Sequence, residues 1–184
     1  MLDTIVGYSL ATRYSDALIN IAQREKKVDE MYNEMRTLRK AFNANDKYLV
    51  KFIKAVGVKL EIKKEALEIL FENVKCSKYI RNAFYYMIEN DREQLVDYIF
   101  VSFSHKYHIL RNMLNVYVES AVELTESEKK RIIVFLKKTT GKEILFNHKI
   151  NPDIIGGMII KYGDKTLNGS IIRNFEIMSK TFLN

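Results

Sequence analysis

The chain has 184 residues, of which 47% are hydrophobic and 29% are charged. This composition is typical of a globular protein rather than a disordered one, and the length suits one large domain or two small ones. The uncharged stretches are too short to span a bilayer, and the first residues lack the pattern of a signal peptide. One cysteine, Cys76, allows no internal disulfide. The sequence therefore predicts a protein that does not insert into a membrane.

The formal net charge of +7 raises the question of a nucleic-acid partner. Binding a phosphate backbone requires basic side chains concentrated on one surface. Here Lys63 and Lys64 lie between Glu61 and Glu65, and the other basic clusters are diluted in the same way. This pattern favours a solvated surface of mixed charge. An adaptor that binds RNA or a ribosomal surface is the alternative interpretation.

Apolar residues recur at helical spacing from Leu10 to Phe103, with short breaks between the groups. This pattern predicts six helices in a compact bundle, because short connections favour antiparallel neighbours. We expect Asn45 to cap the third helix and Asn90 to begin the sixth. The apolar stripes of the first, second and fifth helices comprise Ala11, Tyr14, Leu18 and Ile21; Val28, Met31, Met35, Leu38 and Phe42; and Ile80, Ala83, Phe84, Met87 and Ile88.

The segment Val116–Leu124 is rich in β-branched and alternating residues, which indicates a strand. Thr125 and Glu128 then fit a capping box, in which each side chain bonds the backbone amide of the other. Gly141 is placed to end the helix that follows. The sequence thus predicts a strand followed directly by a capped helix.

The last part of the chain concentrates the residues that favour turns. An extended segment at 143–150 is stopped by Pro152, and a second apolar run at 154–162 contains the pair Gly156 and Gly157. Further turns are predicted at Gly163, which precedes Asp164, and at Asn168, Gly169 and Ser170. Ser170 is placed to cap a final helix. The apolar stripe of that helix comprises Ile171, Phe175, Met178 and Phe182.

These elements predict an α+β protein with two domains. The first is an all-α six-helix bundle at residues 1–105, and the second is a small α+β domain at residues 116–184. Residues 106–115 contain the end of the sixth helix and a linker. The predicted order in the second domain is strand, helix, three strands and helix.

The sequence NPDIIGGMIIKYGDKTLNGS, together with Arg13-Tyr14 in the first helix, resembles the delta subunit of bacterial F-type ATP synthases. The mitochondrial counterpart of that family is the oligomycin-sensitivity-conferring protein. Asn151, which precedes the proline, and Asn168 depart from the family pattern, which has aspartate at both positions. Because Asn bonds its local backbone as Asp does, we expect both turns to be retained.

The resemblance implies a stator subunit in the peripheral stalk, which links the catalytic head to the b-subunit stalk. Such a subunit resists rotor torque during proton-coupled ATP synthesis or hydrolysis, and it lies peripherally on the cytoplasmic face of the cell membrane. It implies contacts with the N-terminus of the α subunit, the C-terminus of the b subunit and the remainder of the ATP synthase. No nucleic-acid partner is implied.

We expect the α-subunit helix to dock between two helices of the bundle, and the b subunit to dock on the final helix. The candidate residues for the first contact are Tyr14, Ala17, Leu18, Ile21, Phe84 and Met87. Those for the second contact are Ile171, Phe175, Met178 and Phe182. Each residue has an alternative role as core packing, and the sequence leaves both roles open.

No catalytic, cofactor or metal site is predicted. Gly141-Lys142 lacks the first glycine of a P-loop, and there is no dinucleotide-binding glycine motif. His105 and His108 lie one helical turn apart but have no third ligand at metal-binding spacing. His148 is expected on a surface or between strands. The chain is therefore predicted not to be an enzyme.

Overall fold

The computed structural model describes residues 2–44, 48–55 and 57–170, with side chains described from residue 7 onward. The chain forms two compact units, Met1–Tyr107 and His108–Asn184. Their boundary falls inside helix α6 (Val96–Leu110), and the first strand begins at Met113. Within the described ranges, no helix is both long enough and apolar enough to cross a membrane.

The described part of the N-terminal unit has helices and no strands, as the sequence predicts. Its described part contains six α-helices, of which α6 crosses the boundary between the units. The first five are α1 (Leu2–Arg24), α2 (Val28–Phe42), α3 (Tyr48–Lys54), α4 (Leu60–Val74) and α5 (Lys78–Glu89).

Aromatic side chains form the centre of this unit. Phe84 packs against Phe42, Phe71 and Phe100, with ring centroids 5.7–5.9 Å apart. Each of these four side chains is buried, so the stripes of α2, α4, α5 and α6 converge on one core. Burying a side chain of this size contributes about 1.5–3 kcal/mol.

Ser15 follows Tyr14 on α1, and it is fully buried. Its hydroxyl lies 3.0 Å from the carbonyl oxygen of Ala11 and 3.3 Å from that of Ile99. Because a buried hydroxyl is costly only when it lacks a partner, the core of α1 and α6 accepts this serine.

The prediction that Asn90 begins the sixth helix is wrong. Asn90 instead ends α5, where its side chain donates to the carbonyl of Tyr86. The chain then turns at Asp91, whose φ is 53°, and a short 3₁₀ helix at Glu93–Leu95 precedes α6. Asparagine is favoured at both the N-terminal and the C-terminal ends of helices. Its residue type therefore does not show that Asn90 ends α5 rather than beginning α6. Asn45, the predicted cap of α3, lies outside the described residues.

The C-terminal unit contains a four-stranded mixed sheet in the order β2-β1-β3-β4. Its strands are β1 (Met113–Ser120), β2 (Glu143–Ile150), β3 (Met158–Tyr162) and β4 (Lys165–Asn168). Strands β1 and β2 are parallel, and α7 (Glu126–Thr140) is the crossover that parallel strands require. The β3–β4 pair is an antiparallel hairpin. The predicted α+β class is confirmed for the described residues.

Strand β1 lies earlier than the sequence predicts, since it covers Met113–Ser120 rather than Val116–Leu124. Leu124 is nevertheless buried, in the same cluster as Val116 and Leu136. An apolar residue in a loop can complete a core as a strand residue does, so the apolar pattern extended the predicted strand too far. The predicted start of α7 is confirmed, because Thr125 and Glu128 form a capping box.

The turn residues near the end of the described chain make a close backbone contact. Gly157 has a φ of +85°, and a Cβ at this position would lie 2.2 Å from the carbonyl oxygen of Gly169. The Gly169 amide donates to the carbonyl oxygen of Met158 at 2.9 Å. No residue with a side chain fits between these backbones without moving one of them.

The two asparagines that depart from the family pattern both make the expected hydrogen bonds to the local backbone. The Asn151 side chain accepts from the amide of Asp153, next to a 3₁₀ turn that begins at Pro152. The Asn168 side chain accepts from the amide of Ser170 at 3.0 Å. The predicted final helix that begins after Ser170 lies outside the described residues.

Candidate functional site: a groove on the helical unit

A groove of about 510 Å³ lies between α1 and α5 on the surface of the N-terminal unit. The two helices pack against each other, and the 3₁₀ turn after α5 packs on α1. The groove is lined by Leu10, Arg13, Tyr14, Ala17, Leu18, Ile21, Tyr79, Asn82, Ala83, Tyr86 and Arg92.

Small residues form the open centre of the groove, and tyrosines form its sides. Ala17 of α1 is exposed and Ala83 of α5 is half-buried, so neither fills the space between the helices. Tyr14 and Tyr86 meet at one end with ring centroids 6.2 Å apart. Tyrosine supplies a rigid apolar surface with one polar atom, a combination enriched at protein interfaces.

Four of the predicted contact residues line this groove. Tyr14, Ala17, Leu18 and Ile21 are all on α1, at the spacing that places them on one helical face. Leu18 is almost fully buried and forms part of the groove floor. The α1 stripe thus contributes both to the core of the unit and to the surface that a partner would contact.

Phe84 and Met87, which are predicted for the same contact, do not line the groove. Both lie in the core, with exposed fractions of 1% and 0%. They share the inward face of α5 with Ile80, whereas the groove is lined by the neighbouring positions of the same helix. The structure thus places Phe84 and Met87 in the core of the unit, which is the alternative role that the sequence leaves open.

The sequence reasoning missed the outward face of α5. Tyr79, Asn82, Ala83 and Tyr86 recur at intervals of three, one and three residues, which is the spacing of one helical face. Tyr86 is 56% exposed, and such a large apolar side chain indicates a contact surface when others adjoin it. This second set of residues at helical spacing, beside the core stripe of α5, is the sequence signal that could have located the contact face.

The charged residues of the groove lie at one end. Arg92 donates to the Tyr14 hydroxyl at 3.1 Å, and this hydrogen bond is the main cause that raises the pKa of Arg92. Arg13 precedes Tyr14 on α1. Among the residues that the structure describes, no Asp or Glu lines the groove. Near the opposite end, burial raises the pKa of Tyr79, and a hydrogen bond with Glu25 adds to that shift.

The second predicted contact surface, Ile171, Phe175, Met178 and Phe182, lies outside the described residues. The predicted turn residues that precede this surface are described. They lie in the β2–β3 connection, in the β3–β4 hairpin or directly after it: Pro152, Gly156, Gly157, Gly163, Asn168, Gly169 and Ser170.

Two of the three histidines contact neighbouring polar side chains. His108 lies 3.3 Å from the Asn115 side chain, and His148 lies 2.7 Å from the Ser120 hydroxyl on the neighbouring strand. His105 is exposed. Across the described parts of the chain, no group of three or more His, Cys, Asp or Glu side chains is arranged to hold a metal ion.

The sequence matches the model of the family described as ATP synthase delta (OSCP) subunit over residues 10–182. ATP synthase subunit delta of Fusobacterium nucleatum is 35% identical over 177 residues, which cover 96% of this chain and 100% of that protein. The sodium-ion-specific ATP synthase subunit delta of Propionigenium modestum is 30% identical and covers 98% and 100%.

The fold is similar to that of a chain in the cryo-EM structure of the Toxoplasma gondii mitochondrial ATP synthase hexamer. The TM-score is 0.74, the identity is 16%, and the match covers 95% of this chain and 98% of the other.

Proposed function

The chain belongs to the ATP synthase delta (OSCP) family, whose members are peripheral-stalk components of F-type ATP synthases, and we propose that it acts there as a non-catalytic mechanical link. In this role it ties the catalytic head to the stalk and resists the torque of the rotor. The groove between α1 and α5 is the observation that carries the proposal, because its lining of apolar and tyrosine side chains offers a binding surface for a partner helix. The comparisons give no support to the alternative of an RNA- or ribosome-binding adaptor.

The partner in the groove is the N-terminal segment of the α subunit, bound as an amphipathic helix. The groove extends from Leu10 to Ile21 on α1, a distance of roughly 16 Å at the rise of an α-helix. This length accommodates about three turns of a docked helix. Apolar side chains at helical spacing on the partner would fill the space above Ala17 and Ala83, as in other helix-in-groove complexes.

The second contact is with the C-terminus of the b subunit, through Ile171, Phe175, Met178 and Phe182. Its support is the apolar stripe of the sequence and the family to which the chain belongs. With one partner on each unit, the protein joins the head to the stalk on the cytoplasmic face of the cell membrane.

A binding measurement with the α-subunit segment tests this proposal. Ala17→Trp fills the open centre of the groove, so affinity for an α-subunit N-terminal peptide should fall about tenfold or more by calorimetry. Asn20→Trp is the matched control, because Asn20 is exposed on the same helix but does not line the groove. This control should bind like the wild type.

Two results would contradict the assignment. One is an absence of binding between the wild-type chain and the peptide. The other is equal affinity for Ala17→Trp and the wild type when circular dichroism shows that both are folded.

A further inference from the structure

The groove carries two guanidinium groups at one end. Arg92 bonds the hydroxyl of Tyr14, and Arg13 is the neighbour of Tyr14 on α1. Tyr14 and Tyr86 close the same end, whereas Ile21 and Tyr79 line the other. The cationic side chains are therefore not spread along the groove but gathered at one end of its apolar floor.

Neither guanidinium forms an ion pair within the described ranges of the chain. Other cations of the same unit do: Lys54 pairs with Asp97, Lys64 with Glu89, and Lys106 with Asp16. Arg92 is half-buried, and its described contact is a neutral phenol. A partly buried cation gains most from a carboxylate, because charge-assisted bonds are stronger than neutral ones and Arg binds carboxylates in a bidentate manner.

We propose that the groove selects an amphipathic helix whose apolar stripe ends in carboxylate side chains, and that Arg13 and Arg92 bind these carboxylates. This inference rests on the groove being a helix-docking site, as proposed above. The charge at one end also fixes the direction of the bound helix, since only one orientation brings its acidic end to the arginines. Tyr14 acts as a positioning residue, because its hydroxyl holds the Arg92 side chain over the groove.

Three host peptides test the proposal with the full-length chain. Each is an acetylated and amidated helical peptide of sixteen residues with the same leucine stripe over three turns. One carries two glutamates at the N-terminal end of the stripe, one carries them at the C-terminal end, and one has glutamine at all four positions. One of the two glutamate peptides should bind about five- to tenfold more tightly than the glutamine peptide at low salt, as expected for a partly desolvated charge pair. The other should bind no better than the glutamine peptide.

Variants of the arginines identify the source of this preference. Arg92→Gln should remove most of the preference, measured as the ratio between the affinities for the favoured glutamate peptide and the glutamine peptide. Arg92→Lys should retain part of the difference, since the charge remains but the bidentate geometry is lost. Arg36→Gln is the matched control, because Arg36 is exposed on α2 and does not line this groove. It should keep the full preference.

The failure of this inference differs from the failure of the proposed function. Equal binding of all three peptides, or an unchanged preference in Arg92→Gln, would overturn the carboxylate proposal while groove docking remained intact. Failure of both glutamate peptides to bind would also overturn it. Loss of binding by the glutamine peptide and the α-subunit segment as well would remove groove docking itself.

Discussion

The core of the N-terminal unit contains large aromatic side chains, whereas the described core of the C-terminal unit consists of smaller aliphatic side chains. Phe42, Phe71 and Phe84 are each at most 1% exposed in the first. In the second, the buried cluster is Val116, Val118, Leu124, Leu136 and Ile160, and its aromatic neighbours are only partly buried. The helical unit thus completes a core and still has apolar side chains left on its surface. One of these surface side chains, Tyr86, lines the groove between α1 and α5.

The two units also differ in how far their stability depends on close contacts between backbone atoms. The helices of the first unit meet through side chains that fill space. The second unit depends on the contact between Gly157 and Gly169, where a side chain has no room. We therefore expect packing variants to have their largest effect in the first unit and backbone variants to have theirs in the second.

Phe84→Ala should have the largest effect. Removing a fully buried aromatic ring should lower the free energy of unfolding of the N-terminal unit by about 3–5 kcal/mol. Cys76 reports on the same unit, because it is buried and its pKa is raised to about 12, chiefly by burial. The thiol is therefore almost wholly protonated at pH 8, and maleimide labelling measures opening of the unit. Labelling should be much faster in the variant.

Tyr86→Ala is the control on the opposite face of α5. Tyr86 is 56% exposed, so its removal should leave Cys76 labelling close to that of the wild type. It should still weaken binding of the α-subunit peptide, because Tyr86 lines the groove. Slow Cys76 labelling in Phe84→Ala would show that Phe84 does not support the core.

Gly157→Val should destabilise the C-terminal unit by about 1–3 kcal/mol, as expected at a strained backbone site. The positive φ disfavours valine, and its Cβ would clash with the Gly169 carbonyl oxygen. Hydrogen exchange by NMR should show faster exchange in β1 and β3 and no change in the helices α1–α5. Gly169→Ala is the control, since its nearest neighbour, the Met158 carbonyl oxygen, lies at an ordinary 3.5 Å. Equal exchange in both variants would refute the steric explanation.

Thr125→Ala should have the smallest effect, about 1 kcal/mol, from the loss of a helix cap. The hydrogen bonds from Thr125 also lower the pKa of Glu128 below its ordinary value of 4.5. A lowered carboxyl pKa stabilises the fold above that ordinary value, and the contribution disappears as the pH falls through the lowered pKa. Denaturant unfolding at neutral and acidic pH should therefore show a deficit that shrinks on acidification. Thr139→Ala should show no such pH dependence, because the Thr139 hydroxyl donates to the uncharged Phe135 carbonyl within its helix.

Local patterns in the sequence determined the elements and several of their ends. The stripes of α2 and α5, the capping box at Thr125 and the glycine at 141 each depend on residues within a few positions of one another. Such bonds form wherever the segment folds, so they can be predicted without knowing its neighbours. The motif around Gly156 and Gly157 also identified the family, because its turns need particular residue types at fixed spacing.

Tertiary structure alone decided which apolar face of α5 is core and which is surface. Phe84 and Tyr86 are both large and aromatic, and they lie two residues apart on different faces of the same helix. Periodicity shows that such faces exist but not which one meets the other helices. That choice depends on the packing of α5 against α1 and α4, which is set by residues far away in the sequence. The same packing brings Arg92 to Tyr14, 78 positions apart in the chain, and so creates the charged end of the groove.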